Sequence, residues 1–157
     1  MLSYRSPKPL AVAALCGVTA SLLNGLLGLL MKAWLGPVDL PGMLTPTGPW
    51  GWLWLSSQIV LLAPLAESIA FMFLARLLKG PLGPVWGAWM AGASLALVHS
   101  LQALRWGVQA LPLFLISAWL YLAWRDRGMS SQFGGLVMIH LVHNLASLAT
   151  LLKYAPR

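Results

Sequence analysis

Acid is what this sequence has least of. Asp and Glu together number three among 157 residues, against ten Lys and Arg, and Glu67 is the only glutamate. Charged residues make up 8% of the chain, where a soluble domain carries about 25%, so an ordinary water-facing surface is excluded. Cys16 is alone, which excludes an internal disulfide. There is no internal repeat and no low-complexity tract, which argues against transporters built from inverted halves. Also missing are a helical Ser/Lys pair, a Gly-x-Ser-x-Gly motif and an Asp dyad, the usual carriers of serine and aspartic hydrolase chemistry.

Basic residues are present, and the formal net charge is +7. They fall at segment ends rather than in one patch, so they read as helix anchors facing anionic lipid headgroups, with no nucleic acid as partner. Hydrophobic residues make up 59% of the chain, in stretches long enough to cross a ~30 Å hydrocarbon core. The expected fold is an all-α membrane protein. Residues 1–157 form a single transmembrane domain, a bundle of about five transmembrane helices near 10–31, 52–78, 85–104, 108–124 and 133–152. Its catalytic core lies within about 52–152.

Along the chain, Gly17, Ser21 and Gly25 form a strip of small residues suited to close helix contact, with Asn24 beside it as an interhelical hydrogen bonder. Residues 32–49 hold Pro37, Pro41, Pro46 and Pro49 and predict a linker. Trp50, Trp52 and Trp54 mark a membrane interface, and Pro64 predicts a kink just before Glu67. Gly80-Pro-Leu-Gly-Pro84 predicts a tight turn, and Ala88, Gly92 and Ala96 form a second small-residue strip. Counting basic residues in loops gives six on the N-terminal side against four opposite, which favours a cytoplasmic N-terminus. The expected location is the inner (plasma) membrane of a bacterium.

Glu67 interrupts an apolar run from Trp52 to Leu78. A charge at that depth costs roughly 2.5 to 3.5 kcal/mol on insertion scales, so an intramembrane carboxylate marks a functional site. His99, His140 and Asn144 fall at a similar depth on neighbouring helices, given a rise of ~1.5 Å per residue. His140 and Asn144, four apart, share a helix face. His143 points about 60° away from His140, given ~100° per residue, and reads as a packing or hydrogen-bonding residue. Desolvation and a neighbouring imidazolium act in opposite senses on a carboxyl's hold on its proton, and a balance between them suits a general base at neutral pH. His99 would share that proton or orient the water. An imidazole and a carboxamide on one face would donate to a developing oxyanion. Together these are the parts for hydrolysing an amide without a covalent intermediate, and no cofactor is called for.

Glu67, then His99, then His140-Leu-Val-His-Asn144 resemble the CPBP family, the CAAX-protease and bacteriocin-processing glutamic intramembrane proteases. That family carries Glu-Glu-x-x-x-Arg, Phe-x-x-x-His and His-x-x-x-Asn/Asp motifs on successive helices, and the likeness covers roughly residues 61–147. The resemblance implies Glu67 as catalytic base, His99 as its partner in activating water, and His140 with Asn144 as the oxyanion site. The substrate it implies is a membrane-anchored protein or peptide. Ser68 stands at the second Glu, Met72 at the Arg and Leu95 at the Phe. These departures point away from prenylated CAAX substrates and toward bacterial members resembling proteases that trim C-terminal sorting tags. Three other readings compete. Glu67, His99 and His140 would serve as ligands in a Zn²⁺-dependent membrane protease, although the usual His-Glu-x-x-His helix is absent. A non-catalytic scaffold of the same fold would tolerate Glu67→Gln. A proton or ion conduit would use the same Glu and His residues as a relay.

Overall fold

A computed structural model describes residues 8–36, 46 and 48–153, and every regular element among them is helical. The first helix, α1 (Pro9–Leu35), opens on proline, whose missing N–H costs nothing in a first turn, and ends at Gly36 with φ 79°. α2 (Gly48–Ser57) runs through a π-helical turn at Gln58–Leu62 straight into α3 (Ala63–Gln102). A single extended residue, Ala103, separates α3 from α4 (Leu104–Ala123). A 3-10 turn over Arg125–Arg127 then leads to α5 (Met129–Lys153).

Four stretches are long and apolar enough to cross a membrane: Pro9–Leu35, Gly48–Gln102, Leu104–Ala123 and Met129–Lys153. The second has 55 residues, about 80 Å if straight, far more than a ~30 Å core needs. It does not run straight, because Gly83 breaks it with φ 77° and ψ 167°. Glu67 and His99 each lie sixteen residues from Gly83, which on a continuous helix would hold them about 48 Å apart. Their side chains are in fact 3.2 Å apart. Close to the turn, a Cβ on Gly87 would stand 2.8 Å from the Lys79 nitrogen. The two helices expected at 52–78 and 85–104 are thus the arms of one hairpin, folded at the predicted Gly80–Pro84 turn.

The outside of the bundle is apolar. Leu15, Leu22 and Leu29, seven apart along one face of α1, are 66%, 70% and 68% exposed. Water penalises such a face, whereas acyl chains accept it. This makes the chain an all-α membrane bundle, as its composition predicts. Inside, Phe71, Ala91, Phe114, Ala118 and Leu136 pack where the hairpin meets α4 and α5. Ala13, Ala20, Leu113, Leu120 and Ile139 join α1 to α4 and α5.

Both small-residue strips bring backbones together. A Cβ on Gly92 would lie 2.8 Å from the Phe114 carbonyl oxygen, and one on Gly17 would lie 2.8 Å from that of Ile139. Gly107 presses on Ser100 and the Ala96 carbonyl, closing α4 onto the second arm of α3. Arg105 donates to the Leu35 and Gly36 carbonyls at 2.7 and 3.0 Å. A cation at the negative end of α1 fixes that end to the start of α4.

Helix ends depart from the sequence expectation. α4 begins at Leu104 rather than 108, and α5 at Met129 rather than 133. In the second case a tertiary contact stabilises a polar first turn, since Gln132 donates to the Tyr121 carbonyl at 2.9 Å. α1 and α2 likewise extend into the expected linker, of which residues 37–45 and 47 lie outside the described residues.

Candidate functional site

The approach to Glu67 is shaped by a local fault in the helix ladder. In the π turn the Ala63 N–H donates to the Gln58 carbonyl, one residue further back than in an α-helix. In that register the next donor, to the Ile59 carbonyl, would be the nitrogen of Pro64, which has no hydrogen. The Asn144 side chain supplies it, its Nδ2 donating to Ile59 O at 2.9 Å. The kink expected at Pro64 is therefore a π turn whose orphaned carbonyl is satisfied from α5.

Three residues downstream, the Glu67 carboxylate lies between two imidazoles from different helices. His140 Nδ1–H donates to Oε2 at 2.7 Å. The Ser117 hydroxyl lies 3.2 Å from His140 Nε2 and engages the ring nitrogen that faces away from the acid. His99 Nδ1–H donates to the Leu95 carbonyl at 2.9 Å, while its Nε2 faces Glu67 Oε1 at 3.2 Å. Two lone pairs do not face each other at that separation, so one proton sits between the carboxylate and His99. The Phe114 ring sets the spacing, with its centroid 5.2 Å from that of His99 and 5.5 Å from that of His140.

The two histidines differ in access. His140 is fully buried, with both ring nitrogens engaged, whereas the His99 side chain is 28% exposed. Glu67, His99 and Asn144 border a cavity of about 170 Å³ and an adjoining groove of about 620 Å³. Leu55, Leu62, Ala66 and Leu151 line the groove together with Gln58, Gln102 and Ser147. His143, expected to be a packing or hydrogen-bonding residue, bonds to α1: Asn24 Nδ2 donates to its Nε2, and its Nδ1–H donates to Ser21 Oγ, both at 3.4 Å.

Sequence reasoning thus brings Glu67, His99, His140 and Asn144 to one place, and the structure adds Ser117 and Phe114. The available signal was their spacing, three apart on one face of α4. It went unread because neither is ionisable. Ser68 Oγ is buried without a hydrogen-bond partner among the described residues.

The site lies nearer the open end of the hairpin than its turn. His99 lies four residues before Ala103, about 6 Å along the helix, while Gly83 is about 24 Å away in the other direction. No family model, curated protein or solved structure matches this chain.

Proposed function

We propose that the chain is a metal-independent glutamic endopeptidase of the membrane, resembling the CPBP proteases, that hydrolyses a peptide bond in or beside a membrane-embedded segment, most simply a C-terminal one. The observation that carries this reading is the Glu67 carboxylate clamped between His140 Nδ1 and His99 Nε2 at the floor of a groove. In the reacting state the shared proton lies on His99, and Glu67 is free to accept one from water. The water oxygen then attacks the scissile carbonyl carbon as its proton passes to Glu67. The tetrahedral oxyanion is met by the Asn144 carboxamide, whose second N–H is not committed to Ile59 O. His99 delivers its proton to the leaving nitrogen, the C–N bond breaks, and the proton on Glu67 returns to His99. An acid and an amine leave, and the site is restored.

His140 takes a different part here from the oxyanion donor that the family resemblance implies. Both its ring nitrogens are engaged, so it orients Glu67 from behind and compensates the developing charge. A zinc site would need imidazole lone pairs converging on one point. Here the near nitrogens of both rings are turned to the two oxygens of the carboxylate instead. A bacterial inner membrane with the N-terminus in the cytoplasm remains our proposed setting.

The test is purified protein in liposomes with a panel of single-span peptides bearing candidate C-terminal tags, with new termini read by mass spectrometry. Wild type cleaves, and Glu67→Ala, His99→Ala and His140→Ala do not, while chelators leave the wild-type rate unchanged. Cleavage that survives Glu67→Ala ends the proposal.

A further inference from the structure

α1 treats its glycines in two ways. Gly17 closes on α5, with the Ile139 carbonyl oxygen 2.8 Å from where a Cβ would stand, whereas a Cβ on Gly25 would meet nothing within 4 Å. Beyond the close contact, α1 leaves a cavity of about 390 Å³ against α4 and α5, room for about ten waters. Its lining is unlike that of the other faces of α1. Ser21, Asn24, Gln109, Ser147 and Thr150 all border it, within segments otherwise apolar enough to span a bilayer. On α1 the bordering residues are Ser21, Asn24, Gly25 and Gly28, the spacing of a single helix face, while Leu15, Leu22 and Leu29 project from the exposed face.

Most of these polar groups also bond to protein. Ser21, Ser147 and Thr150 donate to carbonyls of their own helices, and Asn24 donates to His143. The Gln109 carboxamide projects toward Gly28, its Nε2 2.8 Å from where a Cβ there would stand. Left to hydrocarbon, a carboxamide costs several kcal/mol, roughly 2 to 7 by reference state, a cost that water beside it would remove. Asn24, Trp106 and Gln109 also wall the 170 Å³ cavity that reaches Glu67 and His99. Trp106, Ser147 and Leu151 border the 620 Å³ groove as well.

We propose that the polar cavity between α1, α4 and α5 is a water-filled vestibule that supplies the carboxylate, separate from the groove that receives the peptide. Two openings suit a hydrolase in a membrane. An apolar substrate segment filling the groove would otherwise seal Glu67 from its second reactant. Trp106 stands as the partition. The purpose assigned to the vestibule rests on the hydrolytic reading above, but its wetness is measurable without any substrate.

Single cysteines in a Cys16→Ala background, in liposomes, are exposed to a charged, membrane-impermeant methanethiosulfonate reagent with both faces accessible. Asn24→Cys and Gln109→Cys are expected to label, and Leu22→Cys and Leu29→Cys are not. Absence of labelling at both vestibule positions overturns the proposal, as does equal labelling at the leucine positions. Once a cleaved peptide is in hand, Gly25→Leu fills the vestibule at a position with free space. It is expected to lower kcat about tenfold with KM unchanged, the mark of a lost reactant rather than lost substrate binding. A raised KM with unchanged kcat would put the peptide in the vestibule and overturn the division of labour. Labelling without peptide cleavage would sink the protease reading and leave the wet cavity intact.

Discussion

Ser117 carries no charge, yet its hydroxyl engages the one nitrogen of His140 that the acid does not, 3.2 Å from Nε2. The other nitrogen, Nδ1, faces Glu67 at 2.7 Å. Ser117→Ala removes that hold on the ring without opening much space. The expected result is about a tenfold loss in kcat, ~1.4 kcal/mol in barrier height, with the unfolding midpoint in detergent nearly unchanged. Ser117→Thr, which keeps the hydroxyl, restores much of the rate. A rate unaffected by Ser117→Ala would remove His140 from the orientation of the acid. At this scale the sequence was legible where residues announce themselves by charge or by imidazole. Glu67 stood out because a carboxylate has no other business among apolar side chains. Ser117 and Phe114 did not stand out, because a serine and a phenylalanine are ordinary in a membrane helix, and only packing shows that they touch the histidines.

Among elements, the junction of α2 and α3 is the most informative. Pro64 was readable as a break, but not the form the break takes: a π turn depends on what satisfies the freed carbonyl, and that partner, Asn144, is 85 residues away. The same bond gives Asn144 a second duty as a strut for the segment carrying Glu67. Asn144→Leu leaves the Ile59 carbonyl without its donor, at an expected cost of about 1–3 kcal/mol in unfolding free energy. Pro64→Ala returns a backbone N–H to the neighbourhood, so the cost of Asn144→Leu shrinks in that background. A double-mutant cycle in denaturant reads the coupling, and strict additivity would refute the strut. The start of α4 shows the opposite limit. The sequence predicts a break between 104 and 108, yet the run from His99 to Trp106 holds neither Gly nor Pro that would place it. The chain turns at Ala103 because Gly107 lets α4 lie against the preceding arm, a tertiary cause that no local pattern records.

For the molecule as a whole, composition was decisive: with so few charges and so many apolar residues, only a helical membrane bundle was open to it. The five apolar segments are all present as helix. What composition could not supply was that two of them belong to one hairpin, closed by a glycine in a conformation essentially closed to other residues. Gly83→Ala is expected to destabilise the bundle by about 1–3 kcal/mol and to lower any activity in proportion to folded protein. Thermal unfolding in detergent, compared with Gly134→Ala, where a Cβ meets nothing within 4 Å, provides the check. Equal midpoints would mean that the turn tolerates a side chain.

Equal arm lengths also make the hairpin a measuring tape. Acid and imidazole meet because the count from the bend is the same along both strokes, so adding one residue to either arm would swing its functional group about 100° around the helix and shift it ~1.5 Å. Drift in length is therefore ruinous between Glu67 and His99, unless both arms change in step.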